Sequence, residues 1–203
     1  MSEFDHQAWN WDADGTKVER AQAVAEAIRA LAGPLAGLRA LEYGCGTGLL
    51  GFALQPHLAH VTLADTSQGM LTVLREKIAA SGAANMTPLE LDLTSGPAPE
   101  ARYDLVCTLM TLHHIPDIDG ILARFHALLT PGGRLCISDL DPEDGSFHGA
   151  RVDVHRGFDR RELAARMVRA GFHDVRFSTP YEITRTREGE TERFPLFLAV
   201  AST

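Results

Sequence analysis

The sequence predicts an α/β protein with a doubly wound, mostly parallel seven-stranded sheet and one antiparallel strand. Short apolar segments alternate with segments of helical periodicity, which is typical of parallel strands connected by helices. A glycine run, GCGTG, directly follows the first short apolar segment. The last two apolar segments are joined only by the polar residues 185–192. A connection this short predicts that the final two strands are antiparallel.

The individual elements follow from periodicity and from the residues that end them. Apolar residues recur at helical spacing over Val18–Leu31, and Gly33-Pro34 ends that helix. Asp159 is suited to begin the last helix and Gly171 to end it. The other helices are predicted from the glycine run toward Leu54, from Asp65 through Ile78, over Ile118–Leu129 and over Arg160–Ala170. The predicted strands are Leu38–Tyr43, Val61–Ala64, Leu89–Leu91, Tyr103–Leu109, Arg134–Asp139, Val175–Thr184 and Phe194–Ala201.

The length of 203 residues fits one domain, residues 1–203. Within it, residues 1–33 are expected to form an N-terminal lid and helix. Residues 34–140 form the ligand-binding core, and residues 141–203 contribute a substrate-side loop and the final strands. The N-terminal lid is suggested by Phe4, Asp5, Trp9 and Trp11, which precede the first helix; these residues could equally form a hydrophobic staple.

Charge and composition limit the partners. The net charge of −8 disfavours nucleic acid, because the phosphate backbone is bound mainly by Lys and Arg. No apolar stretch is long enough to span a membrane, and the N-terminus does not resemble a signal peptide. The three dispersed cysteines, Cys45, Cys107 and Cys136, suggest reduced residues in the cytoplasm. We expect a monomer or homodimer with a small-molecule partner.

Glycines and acids fall where parallel strands end. Gly44, Gly46 and Gly48 follow the first strand, Asp65 ends the second, and Asp92 ends the third. Glycine allows a tight turn and close approach of a ligand, and a carboxylate accepts two hydrogen bonds from a ribose diol. Ligands of such sheets bind at these strand ends. The pattern predicts a site for a nucleotide-like cofactor.

The same glycines leave a second interpretation open. Gly46, Gly48 and Gly51 also fit the GxGxxG spacing of a nicotinamide or flavin site. Glu42 inside the first strand, a turn that begins at Gly44, and a second acid after the third strand all argue against a dinucleotide. A tight structural turn with no ligand is a further possibility.

Five segments together are more specific than the glycines alone: LEYGCGTG, LADTSQGML, LELDL, YDLVCTLMTLHHIPD and LLTPGGRLCISDL, from Leu41 to Leu140. In this order the chain resembles the class I S-adenosylmethionine-dependent methyltransferases. It looks most like their small-molecule branch, related to ubiquinone and menaquinone biosynthesis methyltransferases and to the type 11 and type 12 families. The resemblance implies a Rossmann-like methyltransferase fold, S-adenosylmethionine as cofactor and S-adenosylhomocysteine as product.

The resemblance also implies roles for particular residues. Glu42, Gly44 and Gly46 would hold the methionine part and the ribose, and Asp65 would bind the ribose hydroxyls. The adenine and the rest of the methionine would be flanked by Thr66, Met70, Asp92, Leu93, Thr108 and Leu109. Many relatives carry a small polar residue where this chain has Leu109. From the residues alone, Asp65 could also be a helix cap, Asp92 a turn residue, and Met70 part of the core.

The expected reaction is direct methyl transfer, in which alignment of the acceptor with the S–CH₃ bond does most of the work. If the acceptor must lose a proton, the candidate bases are His113, His114, His148 and His155, with His113 and His148 as first choices. Phe147, His148, His155 and Tyr181 are expected to border the acceptor. No partner set at metal spacing accompanies the neighbouring histidines, so no metal is predicted, although the acidic loop from Asp139 to His148 could suit Mg²⁺ or Ca²⁺.

Two other functions remain as alternatives. A nicotinamide-dependent oxidoreductase would use the same glycines, but the chain has no Tyr-x-x-x-Lys pair to support it. A non-catalytic cofactor-binding partner subunit would retain cofactor binding without a cavity for a substrate.

Overall fold

A computed structural model describes residues 3–148, 154–187 and 189–203. The helices are α1 (Glu3–Gln7), α2 (Gly15–Leu31), α3 (Leu49–Leu54), α4 (Gln68–Ser81), α5 (Ile118–Leu128) and α6 (Arg160–Arg169), with 3₁₀ turns at Ala8–Ala13, Gln55–His57 and Leu112–His114. The strands are β1 (Arg39–Tyr43), β2 (His60–Asp65), β3 (Met86–Glu90), β4 (Tyr103–Leu109), β5 (Leu129–Leu140), β6 (His173–Arg187) and β7 (Glu190–Ser202). Among the described helices, none is both long and apolar enough to cross a bilayer.

The strands form one seven-stranded sheet in the order β3-β2-β1-β4-β5-β7-β6. Strand β7 is antiparallel to both of its neighbours, and the other described pairings are parallel. The prediction of a mostly parallel sheet with one reversed strand is confirmed. The strand order reverses between β1 and β4, so the carboxyl ends of β1, β2 and β4 meet at the switch point where such sheets bind ligands.

Helices cover both faces of the sheet because the central strands are apolar on both sides. Leu41 and Tyr43 of β1 pack in the cluster that contains Phe125 of α5. Ala40, on the opposite face, packs in the cluster that contains Ile28 of α2. Strands buried on both faces read as continuous apolar runs, which is why these strands were visible in the sequence.

The third strand differs from its prediction. The expected strand was Leu89–Leu91, whereas β3 covers Met86–Glu90. It lies at the edge of the sheet and is only partly buried, so its sequence, MTPLE, has no apolar run. An edge strand also tolerates Pro88, whose ring nitrogen cannot donate to a ladder.

The last strands are longer than predicted. Strand β5 begins at Leu129 and runs through Pro131-Gly132-Gly133, a segment expected to end the preceding helix as a turn. The polar residues between the final strands continue the backbone pairing: Arg185 is in register with Glu192, and Thr186 with Thr191. An ion pair between Arg193 and Glu182, at 3.2 Å, also joins the two strands.

Candidate active site

The glycine loop after β1 is held against the end of β2. The backbone N–H groups of Gly44 and Cys45 donate to the carbonyl oxygen of Ala64 at 2.8 and 3.0 Å. Gly44 has a φ of 70°, and a Cβ placed there would lie 2.2 Å from Cγ2 of Thr111. No other residue type fits this position without displacing Thr111, so the close approach of two loops at the switch point requires the glycine.

Asp65 joins the glycine loop to the start of α4. Its Oδ2 accepts from the Gly46 N–H at 2.7 Å, and its Oδ1 accepts from the Ser67 N–H at 2.8 Å. The side chain remains partly exposed. Each carboxylate oxygen has a second lone pair, so Asp65 is fixed in orientation while it can still accept hydrogen bonds from a ligand.

Glu42 lies directly under the loop and is buried, with 2% of its surface exposed. Its Oε2 has no hydrogen-bond partner among the described residues. Burial raises the pKa of Glu42 to about 8; the nearby charge of Asp65 raises it further, while the Gly51 amide and Lys77 oppose this shift. A buried carboxyl group with an unpartnered oxygen fits a cationic ligand such as an ammonium group, whose charge would favour the ionised form.

Asp92 is held by its own turn. Its Oδ1 accepts from the backbone and hydroxyl of Thr94, and its Oδ2 accepts from the Ser95 hydroxyl at 2.6 Å. These bonds, led by the Ser95 hydroxyl, lower the pKa of Asp92 to about 2. The turn interpretation of Asp92 therefore has direct structural support, and a contact with adenine would have to use the remaining lone pairs.

The other predicted cofactor residues surround the same strand ends. Thr66 is exposed, whereas Met70 and Leu93 are buried. The Leu93 N–H donates to the Tyr43 hydroxyl at 3.1 Å, which fixes the loop after β3 to β1. A Cβ on Gly46 would lie 3.9 Å from the Met70 sulfur, so Met70 belongs to the core and also forms one wall beside the glycine loop.

The end of β4 has an unusual backbone. Thr108 is buried with no partner for its hydroxyl among the described residues, and Leu109 is half-buried. The next residue, Met110, has a φ of 54°, a left-handed conformation that is uncommon outside glycine. Its N–H donates to the Ser138 carbonyl at 2.9 Å, so pairing with β5 holds this conformation and turns the chain toward the histidines.

The N-terminal segment lies over these loops. Asp5 accepts from the Ser67 hydroxyl at 2.6 Å and from the Gly69 N–H at 3.0 Å. Asp12 accepts from the Thr47 hydroxyl and from Lys77, both at 2.5 Å. The segment therefore contacts both the glycine loop and the start of α4.

Three histidines meet beside the end of β4. The rings of His113 and His114 are 4.1 Å apart between centroids, and His148 lies 4.7 Å from His113. Phe4 of α1 packs against His114 at 5.3 Å. Two of the three, His113 and His148, are the predicted catalytic residues, and the fold brings them together although they are far apart in the chain.

His113 is oriented by Asp139 of β5. The ring is buried, with 1% of its surface exposed, and its Nδ1 is 2.7 Å from Oδ1 of Asp139. The backbone N–H of His113 donates to the other oxygen of the Asp139 carboxylate at 3.2 Å. A carboxylate accepts, so the ring donates from Nδ1, and in the neutral imidazole Nε2 then carries the lone pair. That Nε2 has no partner among the described residues.

The sequence did not predict a separate role for Asp139, because this residue was grouped with the acidic loop from Asp139 to His148. The other loop acids have protein partners: Asp141 pairs with Arg160 at 2.7 Å, and Glu143 accepts from the Gly145 and Phe147 amides. These carboxylates cap and fix the loop. A signal for Asp139 was its place at the end of a buried strand, where an unpaired acid is costly.

The remaining predicted acceptor residues lie around the histidines or further out. The Phe147 ring contacts His148 at 4.8 Å. His155 uses its Nε2 for a hydrogen bond with the Ile115 carbonyl at 3.0 Å, so it holds the histidine turn and is not free as a base. The Tyr181 hydroxyl reaches Glu19 of α2 at 3.4 Å.

Comparison with known proteins shows the family of the chain. A family model described as a methyltransferase domain matches residues 41–135. A ubiquinone biosynthesis O-methyltransferase of Xylella fastidiosa is 34% identical over 83% of the chain, which spans 75% of that protein. A protein of the same name from Marinobacter nauticus is 34% identical over 74% of the chain, which spans only 61% of its length.

A solved structure has the same fold at low identity. The N-methyltransferase NodS of Bradyrhizobium japonicum, in complex with S-adenosylhomocysteine, superposes with a TM-score of 0.70 at 16% identity, over 95% of this chain and 91% of the other. Glycine loop, strand-end acids and sheet order define a class I methyltransferase fold. The chain belongs to the methyltransferase family that this model and these relatives define.

Proposed function

We propose that the chain transfers the methyl group of S-adenosylmethionine to a hydroxyl oxygen of a small organic molecule held beside His113, His114 and His148. The observation that carries this proposal is the buried His113–Asp139 pair beside the end of β4, because Nε2 of His113 has no partner among the described residues. The names of the relatives, ubiquinone biosynthesis O-methyltransferases, support an oxygen acceptor.

The strand ends of β1 and β2 would hold the cofactor. Asp65, fixed by two backbone amides, would accept from both ribose hydroxyls. Glu42 would attract the methionine ammonium from below the loop, and its buried, unpartnered oxygen fits a cation better than any neutral group. Gly44 and Gly46 would leave room for the methionine and the ribose.

Catalysis would depend mainly on position. The methyl carbon is already activated by the sulfonium, so the protein must align the acceptor oxygen behind it and exclude water. The N-terminal segment, hydrogen-bonded to both loops through Asp5 and Asp12, would close the site over the bound cofactor.

A hydroxyl acceptor must lose its proton as the new O–C bond forms. His113 would take that proton on Nε2, and Asp139 would stabilise the resulting imidazolium. His148, with its own unpartnered Nε2, would contact the acceptor from the other side. The C–S bond breaks, and S-adenosylhomocysteine and the methyl ether leave.

Calorimetry with S-adenosylhomocysteine, followed by a screen of hydroxylated acceptors with methyl-labelled cofactor, tests the proposal. We expect specific binding and label transfer to a small hydroxylated compound. Binding of a nicotinamide dinucleotide in its place would support the oxidoreductase alternative. Cofactor binding with no transfer to any acceptor class would support the non-catalytic subunit.

A further inference from the structure

The three histidines form a cluster with the dimensions of a metal site. One ring nitrogen from each of His113, His114 and His148 lies within 4.8 Å of the others. His113 is buried and the other two are half-buried, so the cluster is partly accessible to solvent. The sequence did not predict this site because His148 comes from the loop after β5, more than 30 residues from the other two.

Two of the candidate ligand atoms have no hydrogen-bond partner. Nε2 of His113 and Nε2 of His148 are both buried and unpartnered among the described residues. Leaving such a nitrogen without a partner costs free energy, on the order of 1–3 kcal/mol for each group. A shared ligand between the rings would satisfy both at once.

Asp139 completes the arrangement. By accepting from Nδ1 of His113, it leaves Nε2 as the nitrogen of that ring whose lone pair can bind a metal ion. A histidine that donates its second N–H to a carboxylate is the usual support for a metal ligand, because the carboxylate fixes the tautomer and makes the ring more basic.

We propose that His113, His114 and His148 bind one divalent transition-metal ion, with Zn²⁺ as the ion that best fits three imidazoles, and that its open fourth position takes the acceptor hydroxyl. Imidazole prefers Zn²⁺ and its neighbours in the first transition series over Mg²⁺ or Ca²⁺. Tetrahedral Zn²⁺ with three protein ligands and an open position is a common catalytic arrangement. Zn–N bonds of about 2.0–2.1 Å place the nitrogens roughly 3.4 Å apart, so small ring rotations must bring the three together.

The proposal rests on methyl transfer to a hydroxyl oxygen and specifies how that oxygen is activated. The bound ion lowers the pKa of the hydroxyl, whose O–H bond breaks and whose proton passes to solvent water. The oxygen forms a bond with the methyl carbon as the C–S bond breaks. In this metal-bound form Nε2 of His113 is a ligand, and the ion replaces the imidazole as the group that promotes loss of the proton.

Titration of the chelator-treated protein with Zn²⁺, in competition with a chromophoric chelator, tests the site. Wild type should bind one equivalent, and Co²⁺ should give the visible absorption bands of a tetrahedral site. His148→Ala should weaken binding at least about 100-fold, and Asp139→Asn should weaken it roughly 10–100-fold through the lost support of His113. His173→Ala, an exposed histidine remote from the cluster, is the matched control and should bind like wild type.

Binding of S-adenosylhomocysteine by each variant separates this proposal from the previous one and reports folding. If wild type binds S-adenosylhomocysteine but no stoichiometric Zn²⁺, the metal site is wrong and methyl transfer stands. Equal Zn²⁺ affinity in wild type and His148→Ala would also overturn the site. Failure to bind S-adenosylhomocysteine would contradict the proposed function itself.

Discussion

The two halves of the candidate site differ in how their polar groups are satisfied. In the cofactor half, Asp65 and Asp92 are already bonded to backbone amides and hydroxyls of the surrounding loops. In the acceptor half, the Ser138 hydroxyl and the Nε2 atoms of His113 and His148 are buried without partners among the described residues. The carboxylates of the first half are thus fixed in orientation, whereas the second half has bonding capacity left for a ligand. Glu42 and Thr108 are the exceptions in the cofactor half, because each has a buried oxygen without a partner among the described residues.

The close contact between Gly44 and Thr111 predicts the largest loss of stability. Gly44→Ala places a methyl group on Thr111 and forces a left-handed φ of 70°. Gly82→Ala, at the end of α4, has a nearly equal φ of 69° with nothing within 4 Å. Both substitutions should lower the free energy of unfolding by about 1–2 kcal/mol, because alanine is strained in a left-handed conformation. Gly44→Ala should lower it by a further 1–3 kcal/mol or so, because the new methyl group overlaps with Thr111.

Denaturant unfolding and calorimetry of the two glycine variants compare these costs. Only Gly44→Ala should also lose affinity for S-adenosylhomocysteine. Equal stabilities for the two variants would show that the glycine loop can shift away from Thr111, and the cofactor half would then be less rigid than its contacts indicate.

Glu42 predicts a pH dependence of stability. Its pKa is raised from 4.5 to about 8 in the folded protein, so the folded state holds a proton that the unfolded state has lost between these values. The stability that this proton contributes is fully present below about pH 4.5 and is lost as the pH rises to about 8 and above. Over this range the free energy of unfolding falls by at most about 1.4 kcal/mol per pH unit. Glu42→Gln should therefore gain stability relative to wild type as pH rises.

Denaturant unfolding of both proteins at about pH 6 and about pH 9 measures the effect of Glu42. A constant difference between the two proteins across this range would contradict a proton on Glu42. Glu42→Gln should also weaken S-adenosylhomocysteine binding, because the amide keeps the shape of the side chain and loses its charge.

Substitutions of Asp65 and Asp92 compare the two strand-end acids as anchors of the cofactor. Asp65→Ala removes the acceptor for the ribose hydroxyls and the link between two loops, and it should weaken S-adenosylhomocysteine binding at least about tenfold, or 1.4 kcal/mol. Asp65→Asn should lie between, since it retains one acceptor. Asp92→Ala should weaken binding less than Asp65→Ala, because the Asp92 carboxylate is engaged in its own turn. The reverse order in calorimetry would mean that Asp92 is the principal anchor of the cofactor.

The N-terminal segment predicts the smallest effect. Asp12→Ala removes partly exposed contacts with Thr47 and Lys77, which are worth roughly 1 kcal/mol or less. We expect a two- to fivefold or so weaker affinity for S-adenosylhomocysteine. Amide hydrogen exchange over Phe4–Asp12 should slow when S-adenosylhomocysteine binds, and exchange that does not change with the ligand would exclude a lid.

The sequence predicted best what local physical rules decide. The buried strands β1, β2 and β4 appear as apolar runs, and the loop at Gly44 follows from the need for close approach. The predicted bounds of edge strand β3 lie too late in the chain because half-buried strands lack such a run. The hairpin of β6 and β7 is longer than predicted because its polar residues continue the backbone pairing.

The site was predictable to different depths in its two halves. Glu42 lies in the strand directly before the glycine loop, and Asp65 ends the next strand. Both positions follow from local sequence patterns. The meeting of His148 with His113, by contrast, depends on the path of a loop after β5. The role of Asp139 depends on how strand β5 is placed beside β4 and β7. Contacts between distant segments carry no local signature, so His113 and His148 could be chosen as residues but not as a pair.

Asp139 has a consequence for how such an enzyme could change its acceptor. Its carboxylate sits within β5, where Phe197 of β7 is its register partner, and it also accepts from the Leu140 N–H at 2.8 Å. The carboxylate that orients the His113 ring therefore belongs to an inner strand of the sheet and not to a loop. The tip of the β6–β7 hairpin can vary in length and chemistry without moving that carboxylate. His148, by contrast, lies on the loop after β5, so changes to that loop alter the histidine cluster itself.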